Sequence, residues 1–382
     1  MQLLGGVGLF LLGMILLTDG LKAFAGDALR KALLRFTGRP VTAFCSGAVV
    51  TALVQSSSAT TLATIGFVSA GLIGFAQSIG IVFGASLGTT STGWIVSTLG
   101  LKFSVGLLAL PLICIGAFMR LLGPPRLASL GLALAGFGLI FVGIDALQAG
   151  MSGLAEAVDL SRMPARGFWG HLALLAVGVA MTVVMQSSSA AVATTLAALH
   201  AGAIDFEQAA SLVIGQAIGT TVTAAIAAIG ATTAAKRTAL AHILFNAATG
   251  LIALVLLPVF LALVTRLTAA FEGTPGAVSL AAFHTLFIGF GVVLFLPFTS
   301  QFARLIERIL PEKGFSSTRY LDRSLLQIPP VALAAASRSL GLIAGETLSL
   351  VEARAGFRPV VGPVNARRER LKQGLNEVRV FI

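Results

Sequence analysis

The residues best equipped for chemistry in this chain are polar, and they come twice. Gln55-Ser56-Ser57-Ser58-Ala59 returns 131 positions later as Gln186-Ser187-Ser188-Ser189-Ala190. Each string offers an amide and three hydroxyls. Where a helix begins, near Ser58 and Ser189, it adds unpaired backbone N–H groups. Hydroxyl and carbonyl oxygens suit a small hard cation, whereas helix-start N–H groups favour an anion. One string can therefore hold both members of a cation–anion pair. A single serine in an apolar helix is commonly a packing residue; a duplicated tetrapeptide is poorly explained that way.

The duplication extends beyond the strings. Residues 47–90 align without a gap to 178–221, with 18 identities in 44 positions. Both segments close on Gly-Thr-Thr, at Gly88-Thr89-Thr90 and Gly219-Thr220-Thr221. Glycine and two hydroxyls inside a spanning stretch would interrupt the helix and contribute further oxygens, as discontinuous transporter helices do. Upstream, Gly138–Gly143 echoes Gly8–Gly13 at an offset of 130.

Other chemistries find less support. His171, His200, His242 and His284 lie in no triad motif, so a serine hydrolase would lack its base and no enzyme is expected. No His, Cys, Asp and Glu cluster has metal-ligand spacing, so neither a transition-metal site nor a cofactor is expected. Cys45 and Cys114 lack redox spacing and read as small buried hydrophobes. Asp19 and Asp145, near the ends of apolar runs, are candidates for ion coupling.

At 56% hydrophobic and 11% charged, the chain is far from the charged fraction of about 25% in soluble domains. Residues 1–300 hold 21 charged side chains and the last 82 hold 20, so a membrane body precedes a solvated tail. The net charge of +11 would suit nucleic acid, but the basic residues avoid the apolar runs and collect in short loops. That distribution orients a membrane protein and excludes nucleic acid as a partner.

Seven runs can cross a bilayer: 3–21, 75–99, 103–119, 127–147, 207–229, 238–259 and 280–298. The legs flanking the serine strings, 41–54 with 59–70 and 172–185 with 190–199, are shorter. At 1.5 Å per residue they reach about 15–21 Å, less than the roughly 30 Å hydrocarbon core. They read as re-entrant hairpins, tolerable where the tip backbone is buried or lines a wet cavity. Two amphipathic stretches, 22–36 and 151–160, are expected along the interface. With the N-terminus outside, Lys22, Arg30, Lys31, Arg35, Arg39, Arg120, Arg126, Lys236, Arg237 and the tail all fall inside. Three crossings separate the repeats, so the second is inverted. The expected fold is thus an all-α polytopic membrane protein of about seven full crossings. It holds two inverted repeats, each with a re-entrant helical hairpin and a broken transmembrane helix. Repeat 1 occupies 1–126, repeat 2 with an extra C-terminal helix 127–300, and the cytoplasmic tail 301–382. The expected location is the inner cell membrane, with the C-terminus cytoplasmic.

The paired Gln-Ser-Ser-Ser tips resemble the signature of the type II sodium/phosphate cotransporter family, in its bacterial branch. The segments 84–90 and 215–221 resemble the family's Gly-x-Asn-Ile-Gly-Thr-Thr. Ala241-His242-Ile243-Leu244-Phe245-Asn246 resembles its Ala-His-x-x-Phe-Asn, and 283–287 a second copy. The resemblance implies sodium-coupled import of inorganic phosphate by alternating access. It implies substrate contacts at Gln55, Ser56, Ser57, Ser58, Gln186, Ser187, Ser188 and Ser189, and ion contacts at Ser86, Thr89, Thr90, Thr220, Thr221 and Asn246. As partners it implies phosphate, sodium, the lipid bilayer and, by analogy, a second copy of the chain. Ser86 and Ala217 stand where the family has asparagine; serine keeps an oxygen and alanine does not, which makes the two positions unequal. Ile288 likewise replaces the asparagine of the second histidine motif. Tyr320–Ala353 resembles the opening of a PhoU-like bundle, from which one or two helices and a loose end are expected. Donor chemistry alone leaves open another oxyanion, such as sulfate or a dicarboxylate, and a phosphate-sensing membrane scaffold.

Overall fold

Two long helices whose glycines fit into one another carry the rest of the molecule. The computed structural model describes residues 1–35, 38–101, 105–157, 167–229, 231–272, 275–311, 318, 320–321, 325–326, 329–355, 357 and 364–382. Residues 158–166, with Asp159, Arg162 and Arg166 and the end of the expected amphipathic stretch 151–160, lie outside the described residues. Helix α1 (Gln2–Arg35) packs along α7 (Pro125–Ala157) through glycines at seven-residue intervals, Gly6, Gly13 and Gly20 against Gly136, Gly143 and Gly150. A Cβ added at Gly13 would lie 2.7 Å from the Ile140 nitrogen, and one at Gly143 would press on Phe10. Gly6 meets Leu147 while Gly136 meets Leu17, and Gly20 meets Ala133 while Gly150 meets Leu3. Each pair exchanges its members under the 130-residue offset, the reciprocity that a two-fold axis produces. Rising numbers on α1 meet falling numbers on α7, so these equivalent helices are antiparallel.

The duplicated segments fold alike. In the first, α2 (Pro40–Val54) and α3 (Ser57–Ser69) form a hairpin, followed by α4 (Phe75–Gly88), α5 (Ser91–Ile95) and a π turn at Val96–Gly100. In the second, α8 (Phe168–Met185) and α9 (Ser188–His200) form the hairpin, followed by α10 (Phe206–Gly219) and α11 (Thr221–Ala227). Both second legs end the same way, with Gly71 and Gly202 at φ +67° and +70°. There Leu72 N–H returns to the Phe67 carbonyl and Ala203 N–H to that of Ala198, a glycine-closed helix end. The Gly-Thr-Thr interruptions are milder than expected. Thr89, Thr90 and Thr220 keep right-handed helical dihedrals with ψ of −27°, −20° and −25°, a local tightening rather than an unwound segment.

The remaining helices are α6 (Val105–Leu122), packed on α7, then α12 (Thr233–Val255), α13 (Leu257–Glu272), α14 (Ala277–Phe295), α15 (Thr299–Ile309), α16 (Pro329–Arg354) and α17 (Val364–Phe381). A 3-10 turn, Leu296–Phe298, joins α14 to α15. No strand occurs among the described residues, and eight helical segments are long and apolar enough to span a membrane. The protein is an all-α polytopic membrane protein.

Four expectations need correction. The amphipathic stretches are not separate interfacial elements: α1 runs unbroken to Arg35 and α7 to Ala157, because Leu, Ala, Lys and Arg continue a helix readily. The run 238–259 does not stay one helix. Pro258 lacks an N–H and starts α13 at Leu257, which buries Leu257, Phe260 and Val264. Cys45 and Cys114 lie on the outer surface, not in the interior. Finally, among the described residues the C-terminal end is helical rather than loose: α16 and α17 pack together, and Val331, Ala335 and Phe381 share one apolar cluster with Phe67 and Val68 of α3.

Candidate substrate site

Each hairpin tip assigns its residues different work. Gln55 and Gln186 end the first legs at φ +57° and +50°, and they are the only non-glycine residues with positive φ among those described. Glutamine there carries a backbone cost that glycine would avoid, so its side chain must justify the position. Ser56 and Ser187 are N-caps, their hydroxyls accepting from the N–H groups of Ala59 and Ala190 at 3.2 Å. The second legs thus begin at Ser57 and Ser188, one residue earlier than expected. Ser58 reaches Thr223 of the other half at 3.5 Å, and Ser189 reaches Thr92 at 3.2 Å. These two bonds exchange under the 131-residue offset. Each tip is tied to the interrupted helix of the opposite repeat.

The middle serines remain. Ser57 and Ser188 face a common cavity of about 20 Å³, with Ser86, Thr89, Ala217 and Thr220 around it. That is room for one or two water-sized groups. His242 and Asn246 of α12, with His284 and Ile288 of α14, complete the wall. The lining repeats twice over: Ser57, Ser86 and Thr89 correspond to Ser188, Ala217 and Thr220, and the His242/Asn246 pair corresponds to His284/Ile288. No side chain that lines it carries a formal charge, histidines aside.

The hydrogen bonds decide what the wall presents. Ser86 donates to the Val82 carbonyl at 3.2 Å and Thr220 to that of Gln216 at 3.1 Å. Asn246 Nδ2 donates to Ser86 Oγ at 3.3 Å and to the His242 carbonyl at 3.0 Å. Lone pairs are what these groups have left, and oxygen lone pairs suit a cation. On the tip side, helix geometry leaves the first N–H groups of α3 and α9 unbonded, which suits an anion. Among the residues that line the cavity, three buried polar atoms have no partner: Thr89 Oγ1, His242 Nδ1 and His284 Nδ1. Each such orphan costs about 1–3 kcal/mol, and a bound ligand would offset that cost.

Of the fourteen residues proposed from the sequence, the cavity gathers Ser57, Ser188, Ser86, Thr89, Thr220 and Asn246. Thr90 and Thr221 are not among its lining. They donate to the carbonyls of Leu87 and Ile218 at 2.8 Å, and Thr90 also accepts from Thr285 at 3.0 Å. Ser56, Ser58, Ser187 and Ser189 hold the tips in place. Asp19 and Asp145 are exposed, and neither lines the cavity. The residues to which sequence reasoning gave no role are His242 and His284. Their motifs at 241–246 and 283–287 are legible as a pair, but only Asn246 was drawn from them as a site residue.

The two glutamines differ. Gln55 Nε2 donates to Ser91 Oγ, and its Oε1 accepts from Thr92 Oγ1, both at 2.9 Å. Gln186 is exposed and donates to the Val183 carbonyl of its own leg at 2.6 Å. The cause is local: Val222 occupies the position equivalent to Ser91. Replacing each glutamine by glycine is therefore expected to shift stability in opposite directions. Gln186→Gly relieves the left-handed backbone and gains about 1 kcal/mol. Gln55→Gly gains the same but loses two bonds to α5, each about 0.5–1.5 kcal/mol, so its melting temperature falls. Thermal unfolding of both purified variants in one detergent checks the difference.

A polytopic helical protein whose two related tips close on a shared polar cavity has the construction of a secondary transporter. The chain belongs to the Na+/Pi-cotransporter family, whose sequence pattern matches residues 9–149 and 160–315. That is a family of transporters, not of enzymes. The chain is 33% identical over 307 residues to YqeW of Bacillus subtilis (strain 168), covering 80% of this chain and 96% of that one. It is 31% identical over 384 residues to the "Putative inorganic phosphate export protein YjbB" of Escherichia coli (strain K12), covering 99% of this chain and 65% of that protein's length. Over 94 residues it is 40% identical to the mouse sodium-dependent phosphate transport protein 2C, or 24% of this chain and 15% of the mouse protein. No solved structure matches it.

Proposed function

We propose that this protein is a sodium-coupled secondary transporter of inorganic phosphate, working by alternating access of two inverted repeats. The observation that carries the reading is one small polar cavity to which both tips, both interrupted helices and the two histidine helices contribute. Phosphate binds at the tips, with its charge met by the N–H groups at the starts of α3 and α9 and by the hydroxyls of Ser57 and Ser188. Gln55 and Gln186 shape the tips around it. Sodium binds toward Ser86, Thr89, Thr220 and Asn246, and its charge offsets the anion's in a site without lysine or arginine. Because Ala217 offers no oxygen where Ser86 does, the half of the site on Ser86 is the stronger cation position. Hairpin α2–α3 enters from the cytoplasm and α8–α9 from outside, so displacement of one tip at a time exposes the site to one side at a time.

The relatives' names mention both export and sodium-dependent transport, and one cycle accommodates both. A coupled carrier runs in whichever direction the combined gradients favour, so an inward sodium gradient drives uptake in this reading. Labelled phosphate uptake into proteoliposomes is the test. Accumulation under an imposed sodium gradient, absent with potassium, is the expected result. No uptake under any gradient by correctly inserted protein would retire the proposal.

A further inference from the structure

The two imidazoles at the cavity wall have no role in the hairpin mechanism as described. They are 2% and 4% exposed, they line the same cavity, and each has a buried ring nitrogen without a partner. We propose that His242 and His284 contact the oxyanion and select one that carries a proton, phosphate or arsenate, over one that carries none, sulfate. This deepens the phosphate reading above and rests on it.

A neutral imidazole has one N–H donor and one bare acceptor nitrogen. Fully ionised sulfate has acceptors only. It can take the donors of the wall, but it sets its own lone pairs against any bare nitrogen. Phosphate near neutral pH bears at least one O–H and can satisfy both kinds of atom. The tip hydroxyls of Ser57 and Ser188 do not discriminate in this way, because an O–H can turn to donate to either anion, while Ser86 and Thr220, whose protons go to backbone carbonyls, face the cation. A site with polar groups that only the right ligand can pair rejects the analogue lacking the matching group. Geometry supports the same assignment. The cavity at about 20 Å³ is too small for the anion until a tip moves. His242 and His284 stand on α12 and α14, outside both hairpins, so they belong to the wall that remains when either tip leaves.

The test is binding, read without transport: thermal stabilisation of the full-length protein in detergent and sodium buffer, titrated with phosphate, arsenate and sulfate. Wild type is expected to favour phosphate and arsenate over sulfate. His242→Leu and His284→Leu are each expected to weaken phosphate about tenfold to hundredfold and leave sulfate unchanged or improved. His242→Gln and His284→Gln, which keep a donor and an acceptor, should restore much of the preference. An unchanged phosphate-to-sulfate ratio in folded leucine variants overturns the proposal, as does equal wild-type affinity for the two anions. That second comparison holds even where a variant does not fold. Wild-type protein that binds none of the three anions sinks the phosphate reading itself, which separates the two failures.

Discussion

Ser57→Ala with Ser188→Ala is expected to lower sodium-driven phosphate uptake by at least about 100-fold while leaving the melting temperature nearly unchanged. Both hydroxyls are buried, 6% and 7% exposed, yet neither has a hydrogen-bond partner among the described residues. Removing them breaks no hydrogen bond seen among the described residues, and a Ser-to-Ala change leaves the Cβ packing of α3 and α9 in place. In the proposed site each donates to a charged oxygen, worth about 1.5–3 kcal/mol, and two together exceed a hundredfold. The neighbouring serines should behave in the opposite sense. Ser56→Ala and Ser187→Ala remove N-caps and cost about 1 kcal/mol each in stability, with a smaller effect on substrate affinity. Uptake and thermal unfolding measured on the same preparations separate the two classes. Full activity in the Ser57/Ser188 variant would show that the tips do not touch the substrate.

That division of labour explains why the tetrapeptide is duplicated whole. The first serine starts the second leg, the second faces the cavity, and the third crosses to the opposite repeat through Thr223 or Thr92. The glutamine closes the first leg in a conformation that few residues adopt. The cross-bonds couple the tips: displacing α2–α3 strains Ser58–Thr223 and therefore α11, which belongs to the other repeat. The halves are fastened differently. Gln55 holds α5 through two side-chain bonds, whereas Gln186, facing Val222 in place of a serine, holds only its own leg. Hairpin α8–α9 is fastened elsewhere, by Gln216 of α10, which donates to the Ala191 carbonyl at 3.2 Å and to Thr195 at 2.7 Å.

Much of this was legible in the sequence because local chemistry specifies it. Polar strings between short apolar legs announce tips, and an exact offset announces that the tips share one geometry. The hairpin legs fall within two residues of expectation except at the start of α8, which begins at Phe168 and, at 18 residues, is among the segments long and apolar enough to span. What escaped has physical causes. Hydropathy is blind to the missing N–H of Pro258, so α12 and α13 merged into one run. It also cannot tell lipid from protein as the apolar surrounding, so Cys45 and Cys114 were placed inside. Thr90 and Thr221 match Thr89 and Thr220 in type, but the helical turn rotates them about 100° away from the cavity. The histidine pair depends on α12 and α14 converging on the tips, which no spacing within one helix encodes. The seating of α16 against α3 is equally a tertiary fact.

Gly215→Ala is expected to destabilise the protein by about 3 kcal/mol or more, and Gly84→Ala by a similar amount. Intrinsic helix propensity argues the other way, since alanine should gain about 1 kcal/mol over glycine in a helix interior. The sign is set by what a Cβ would meet. At Gly215 it would overlap the Leu175 carbonyl oxygen and lie 2.8 Å from that carbonyl carbon; at Gly84 it would overlap the Phe44 oxygen and lie 2.7 Å from Ala48 N. These are backbone atoms, which cannot rotate aside as a side chain does, so α8 must retreat from α10, or α2 from α4. Gly5 and Gly8, with nothing within 4 Å, supply the control: alanine there should be neutral or stabilising. Thermal unfolding of the four variants decides it, and a stabilised Gly215→Ala would mean that the leg and the interrupted helix are not in close contact. The consequence reaches the site. The first leg ends in the tip and the interrupted helix ends in Gly-Thr-Thr, so their spacing sets where Ser188 sits relative to Thr220. A variant that survives at reduced temperature should therefore also lose phosphate affinity, although it alters no residue of the cavity.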